Sequence, residues 1–322
     1  MIVDLPSTDT SAVNRTMVDL RESAGAVALG RVLTLLIITE DGPEAEAAIQ
    51  AANDASREHP CRVLVLARGI RRAASRLDAQ IRIGGDAGAS EVIVLRMYGP
   101  LADQGGAIVV PLLLPDAPIV AWWPGEAPTS PSEDPVGSVA GRRITDVGSA
   151  KSPSKALGKL RQRYAPGDTD LAWSRITSWR ALLTAALDQP PHERVTRASV
   201  GGAPDSASAD LLTGWLASRL GCPVSRTTRD VPGGQGGQIA MVRLERASGS
   251  VELVRLDAKS AMLSQPGQPD RRVALSRRTT RECLAEELRR LDPDDIYAEA
   301  IEAMPTARGR SKGSPTAAKA DA

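Results

Sequence analysis

The sequence predicts an α/β protein built as two layered domains. Three observations carry this. Short β-branched and leucine-rich runs alternate with amphipathic segments through the first half, the rhythm of a sheet covered on both faces by helices. A stretch rich in Pro, Ser and acids, Gly125–Gly137, then interrupts the pattern as a surface loop. The second half has a different order: a strand and a helix, an alternating hairpin, then helices. The expected division is an α/β domain over 1–150 with a mostly parallel or mixed sheet, and an α+β domain over 151–304 with an antiparallel hairpin and C-terminal helices. Residues 305–322 are expected to be a disordered tail.

The first element is Ser11–Arg21, which has helical spacing, and Gly25 and Gly30 punctuate the chain after it. Val32–Ile38 and Arg62–Ala67 are buried strands. Between them Pro43–Glu58 is a helix, with Pro43 at a favoured first position and acids in its first turn. Gln80–Gly84 and Glu91–Arg96 read as a hairpin-like pair, Leu101–Leu114 as a helix interrupted by Pro111, and Ile119–Trp123 and Arg143–Val147 as further strands. Lys151–Pro166 is polar and basic. Val195–Gly202 is a strand, and Ser206–Leu220 an amphipathic helix. Gln238–Glu245 and Ser250–Asp257 alternate around a turn as an antiparallel hairpin. Arg271–Leu275 is another strand, Thr279 and Glu282 form a capping box, and Asp292 caps a last helix.

Composition narrows the function. The 322 residues carry 40 Lys and Arg against 39 Asp and Glu, a balance that argues against a nucleic-acid or membrane role driven by charge. The N-terminus lacks a basic stretch followed by an apolar run, and the apolar patches are too short to span a bilayer, so a cytoplasmic protein is expected. Three well-separated Cys and two His do not assemble a zinc site of the usual kind, and no cofactor is expected.

No motif announces chemistry. His59 and Cys61 have no acid–base partner pattern around them and read as a helix end. Gly201-Gly202 fits neither dinucleotide nor P-loop spacing, and Asp205 beside it would repel an anion. Pro232–Gly237 reads as a flexible loop, and the scattered Arg pairs, Arg71-Arg72 among them, as solvated surface.

Two tryptophan-bearing stretches stand out in a chain with five Trp and no Phe. Asp170–Pro191 puts Ala172, Ile176, Trp179, Leu183 and Ala186 on one apolar stripe, and Trp173, Thr177, Arg180 and Thr184 on another. The second stripe fits a buried Trp with an Arg paired at a domain seam, a partner surface, or a small-ligand site. Trp122 and Trp123 end the Ile119–Trp123 strand and face opposite ways, so one can be core while the other faces a neighbour. Ligands of open α/β sheets sit beyond the strand carboxyl ends, which leaves a sugar-phosphate sensor or enzyme as the alternative. The expected partner-binding residues are Trp122, Trp123, Trp173, Arg175 and Arg180.

Together Gly25–Ile37, Ala51–Leu66, Pro118–Pro128, Asp170–Pro191, Ala207–Gly221 and Arg278–Ala300 make the chain resemble the OpcA family, the glucose-6-phosphate dehydrogenase assembly proteins, in its actinobacterial form. The resemblance implies a non-catalytic accessory protein of the oxidative pentose phosphate pathway. Its partner would be glucose-6-phosphate dehydrogenase, which it would activate or assemble; the family supplies no catalytic residues to carry over. Cyanobacterial relatives are linked to thioredoxin-dependent control, but no Cys here forms a CxxC pair.

Overall fold

The structure is a computed structural model that describes residues 1–23, 32–83, 91–231, 239–305 and 310–311. The expectations for Gly25 and Gly30, the Pro232–Gly237 loop, and the tail at 306–309 and 312–322 lie outside these residues.

In chain order the elements begin with β1 (Ile2–Leu5), α1 (Thr10–Ser23), β2 (Leu33–Glu40), α2 (Pro43–Ala55), β3 (Cys61–Arg68), β4 (Arg76–Arg82) and β5 (Glu91–Tyr98). Next come α3 (Gly105–Val109), β6 (Ile119–Trp123), β7 (Arg142–Thr145), α4 (Pro153–Gln162), β8 (Asp168–Asp170), α5 (Leu171–Ser174) and α6 (Thr177–Leu187). The remainder is β9 (Arg197–Gly202), α7 (Ala207–Leu220), β10 (Val224–Thr228), β11 (Ile239–Arg246), β12 (Gly249–Arg255), β13 (Ser260–Ser264), β14 (Arg271–Ala274), α8 (Thr280–Arg289), α9 (Asp295–Glu302) and β15 (Arg310–Ser311).

The chain forms two compact units, and neither is contiguous. Unit 1 takes Met1–Ala150, Arg163–Ser174 and Arg278–Asp294, and unit 2 takes Lys151–Gln162, Arg175–Arg277 and Asp295–Ala322. A single cut near residue 150 therefore does not describe the chain. Packing explains one exchange: Cys283, Leu284 and Leu288 of α8 join the core cluster of Leu35, Ile49, Val63 and Trp122.

Unit 1 holds an eight-stranded mixed sheet in the order β1-β4-β5-β3-β2-β6-β7-β8. From β5 to β8 every neighbouring pair is parallel, and β4 and β1 add an antiparallel edge. The central strands read LTLLIITE and CRVLVLAR and are buried almost throughout, because helices cover both faces and no alternation is needed. One face carries α2 and α8, the other α1 and α3. Two strands lack the long buried apolar run of the central ones. β8 is three buried polar residues, Asp168, Thr169 and Asp170, and β1 is a half-exposed edge.

Unit 2 holds a seven-stranded sheet in the order β14-β13-β12-β11-β9-β10-β15. The expected hairpin is β11 and β12, paired from Met241↔Val254 to Arg246↔Gly249. β9, α7 and the parallel β10 form a right-sized crossover unit. β15 falls in the stretch expected as a disordered tail, yet it pairs in parallel with β10 through Arg226↔Arg310 and Thr227↔Ser311. α7 opens on a Ser206 N-cap and closes on Gly221 in the left-handed region. The capping box of Thr279 and Glu282 is present on α8. The last helix begins at Asp295, two residues later than a cap at Asp292 implied.

Candidate functional site

Numbering only the parallel strands of unit 1 by chain order gives 3-2-1-4-5-6 across β5-β3-β2-β6-β7-β8. That order places a topological switch point between β2 and β6, where such sheets open a crevice for a dinucleotide at the first strand-to-helix turn. Here the turn is Glu40-Asp41-Gly42-Pro43-Glu44. Gly42 takes φ 146 to make it, a backbone state that only Gly adopts easily. The start of α2 is wrong for a pyrophosphate. Pro43 removes one of the free N–H groups there, and Glu44 and Glu46 put negative charge in the first turn, where an anion would otherwise be drawn.

Two of the cations near the turn are already engaged. Arg82 forks onto Glu46 at 2.7 and 3.0 Å and holds that carboxyl below its usual range. Asp41 accepts from Arg96 Nε and from the Tyr98 hydroxyl, each at 3.3 Å. The residues of this crevice therefore do not fit a dinucleotide phosphate.

Trp122 and Trp123 lie at the end of β6 beside this turn. Alternation holds, but both faces are covered. Trp122 packs in the cluster with α2 and α8, Trp123 in the one with α1 and α3, and both are 0% exposed. Neither offers a contact surface, contrary to the expectation that one would face a neighbour. Their indole N–H groups lack a hydrogen-bond partner, so each ring contributes through burial alone.

Trp173 is also buried. Its Nε1 donates to Asp294 Oδ2 at 2.8 Å, which makes it a tie between α5 and the segment after α8. Around it Arg142 donates to Glu287 at 2.5 Å and to the Asp292 carbonyl at 2.9 Å. Ser174 also donates to Glu287, and Arg278 donates to the Ser174 carbonyl at 2.8 Å. Burial gives Trp173 an internal hydrogen-bonding role instead of exposed contact area. Replacing Trp173 by Phe keeps most of the ring but removes its hydrogen bond to Asp294 Oδ2. A loss of about 1–2 kcal/mol is expected in urea unfolding; unchanged stability would remove the tie.

The segment expected as one helix is broken into α5 and α6. Its apolar stripe is intact, with Ala172, Ile176, Trp179, Leu183 and Ala186 all buried. Trp179 receives the Arg255 guanidinium 5.5 Å from its ring centroid. Arg175 and Arg180 are half-buried, and Arg180 donates to Thr177 Oγ1 at 3.0 Å. Both belong to unit 2 and Trp173 to unit 1, so the second stripe is divided between units.

One acid group was not singled out from the sequence. Asp170 is 0% exposed, and burial first, then the charge of Asp146, push its carboxyl up to about 7. Its oxygens accept from the Thr145 hydroxyl at 2.6 Å, Val147 N–H at 3.0 Å and Ala172 N–H at 2.8 Å. When Asp170 is protonated, the 2.6 Å contact can reverse, because Thr145 Oγ1 also lies 3.1 Å from the Thr169 carbonyl. A shifted carboxyl can mark catalysis, but this one has no solvent access and all its bonds are internal.

The raised value fixes the sign of the pH effect. Between about pH 4 and pH 7 the folded chain keeps a proton that the unfolded chain has released, so its contribution to stability falls as pH rises through that window. The stability difference between wild type and Asp170→Asn should therefore widen in favour of wild type as pH drops from about 8 to about 5. Parallel stability curves would refute the shift.

Among the described residues no group of three or more His, Cys, Asp or Glu could hold a metal ion. No described helix is long and apolar enough to cross a membrane. The architecture is that of a two-unit α/β protein with a dinucleotide-fold strand order and a phosphate turn of the wrong chemistry.

Two family models match the chain: the glucose-6-phosphate dehydrogenase subunit N-terminal domain over residues 52–162 and the corresponding C-terminal domain over residues 166–301. The chain belongs to the OpcA family of glucose-6-phosphate dehydrogenase subunits. It is 30% identical over 147 residues to the putative OxPP cycle protein OpcA of Synechocystis sp.; the match covers 40% of this chain and 29% of that protein. Among solved structures, glucose-6-phosphate 1-dehydrogenase from Mycobacterium avium aligns with a TM-score of 0.43 and 10% identity, over 84% of this chain and 91% of the other. Biliverdin reductase from Synechocystis sp. aligns with a TM-score of 0.34 and 11% identity, over 84% and 96%. Scores at this level assign neither fold nor function.

Proposed function

We propose that this chain is a non-catalytic subunit that binds glucose-6-phosphate dehydrogenase and activates or assembles it. The observation that carries the reading is the pair of dehydrogenase-subunit models spanning both halves of the chain. The acidic turn after β2 supports it, because it weakens the alternative of a sugar-phosphate sensor or enzyme using the strand-end crevice. An activator must bind the active form of its partner better than the inactive form, and a coupling of about 1–3 kcal/mol would change substrate affinity roughly 5- to 150-fold.

Of the expected contact residues, Arg175 and Arg180 keep exposed surface and are the ones proposed to reach the partner. Trp122, Trp123 and Trp173 would act only by holding the fold. The proposed work is in the cytoplasm, with the enzymes of the oxidative pentose phosphate pathway.

The test is sedimentation of the purified chain with the cognate dehydrogenase, followed by initial rates with and without it. A complex with altered rate or oligomeric state is the expected result. Absence of a complex at micromolar concentrations of both proteins would refute it.

A further inference from the structure

Two features fall short of a site, and a third does not. The acidic turn at the switch point is a carboxylate cluster already engaged by Arg82, Arg96 and Tyr98. A groove of about 860 Å³ in unit 2 runs along α4 past Lys155, Lys159 and Met304, but Asp205 and Asp210 line it too and blur its charge. The third feature is the turn after β3.

β3 ends at Arg68 and β4 begins at Arg76, and the stretch Arg68–Leu77 reads RGIRRAASRL without an acid. Ile70 at its tip is 70% exposed, the most exposed large apolar side chain among the described residues. Arg71 and Arg72 beside it are exposed. Arg71 meets Asp103 at 3.5 Å, with side chains 61% and 64% exposed, a pair worth little in water. Arg72 makes no ion pair among the described residues. Next to this tip lies a hollow of about 410 Å³, lined by Ser7, Thr8, Ser75, Arg76, Tyr98 and Leu101. Arg76 stacks 4.4 Å from the Tyr98 ring centroid and pairs with Asp78 at 3.0 Å.

The turn is held rigidly. The Ile70 carbonyl accepts from Ala73 N–H at 3.1 Å and from Gly99 N–H at 3.0 Å, and Gly69 N–H donates to the Met97 carbonyl at 2.9 Å. A Cβ at Gly69 would stand 2.5 Å from the Tyr98 ring, so the chain is pressed against that side chain. Gly99, at φ 63, would place a Cβ 2.5 Å from the Ala73 carbonyl oxygen.

An isolated exposed Ile is ordinary on a protein surface. An Ile presented on a preorganised turn, between arginines and beside a hollow with an aromatic wall, is the arrangement of an interface anchor, because little ordering entropy remains to be lost on docking. We infer that the Ile70-Arg71-Arg72 turn and the adjoining Tyr98 hollow form a docking surface for an acidic segment of the partner protein that carries an apolar side chain. The carboxylates would meet Arg71, Arg72 and Arg76, and the apolar side chain would cover Ile70. This surface deepens the proposed function and rests on it, with the dehydrogenase as the partner.

The experiment measures binding of the full chain to immobilised cognate dehydrogenase at low and physiological salt, for wild type, Ile70→Asp and Arg71→Glu/Arg72→Glu. All three side chains are exposed, so circular dichroism and melting should match wild type. Each variant is expected to weaken binding by roughly tenfold or more, and the double variant to lose most of its salt dependence. Wild-type affinity in both variants overturns the surface but leaves the proposed function standing. No binding by wild type overturns both. Two further results overturn the surface as a partner site: self-association of the chain that Ile70→Asp abolishes while dehydrogenase binding persists, or binding to phosphatidylserine vesicles that the double variant alone removes.

Discussion

Replacing Glu287 by Leu should destabilise unit 1 by about 3–5 kcal/mol, because it leaves a buried guanidinium without its counter-charge. Arg142 and Glu287 have side chains only 3% exposed and lie 2.5 Å apart. Glu287 also accepts from Ser174, so the substitution orphans a hydroxyl as well. Against a total stability of roughly 5–15 kcal/mol for a domain, that loss is large. The pair joins residues 145 positions apart and fixes α8 to the first sheet. Urea unfolding of Glu287→Leu should therefore show an early transition. The double variant Arg142→Met/Glu287→Leu should recover much of the loss, since an apolar pair of similar volume often replaces a buried ion pair at little cost. A single variant as stable as wild type would show that the pair contributes nothing.

Gly214→Ala tests unit 2, and there two effects oppose each other. In a helix interior Ala is favoured over Gly by about 1 kcal/mol. A Cβ at Gly214, however, would lie 2.0 Å from the Ala300 carbonyl oxygen and 3.0 Å from Met304 N, both backbone atoms of or beside α9. Neither can rotate away as a side-chain tip could. α9 must shift, and overpacking of this kind costs about 1–3 kcal/mol or more. Sterics should win, with a net loss of about 2 kcal/mol in thermal or urea unfolding. A gain in stability would mean that α9 yields freely.

The legibility of each element in the sequence has a physical reason. β2, β3 and β5 were legible because a strand buried on both faces is a continuous apolar run. β8 was not, since Asp168, Thr169 and Asp170 are buried by hydrogen bonds and an ion pair to β7, which no hydrophobic pattern encodes. The sequence of α4 is polar and basic overall, yet Leu157 and Leu160 are its large buried side chains. Leu284, Leu288 and Leu291 recur at helical spacing in and just past α8, but a stripe does not say which sheet it covers. That is why the discontinuous units could not be read.

The tryptophans divide similarly. Alternation places Trp122 and Trp123 on opposite faces, but the covering of both faces depends on α1 and α8, which come from distant parts of the chain. Rarity of aromatics drew attention to Trp173, yet its partner Asp294 is 121 residues away. The acidic turn after β2 was visible as a helix start, but its meaning needed the strand order. The sequence marks the Arg71-Arg72 pair as solvated surface, whereas the exposure of Ile70 and the rigid turn beneath it depend on the fold.

Paired calorimetric titrations probe the central claim most directly. One titrates cognate glucose-6-phosphate dehydrogenase into the chain, and the other titrates NADP or glucose 6-phosphate into the chain alone. The account predicts saturable binding in the first and no binding up to millimolar ligand in the second. Tight binding of either small molecule to the isolated chain, with none to the dehydrogenase, would contradict it.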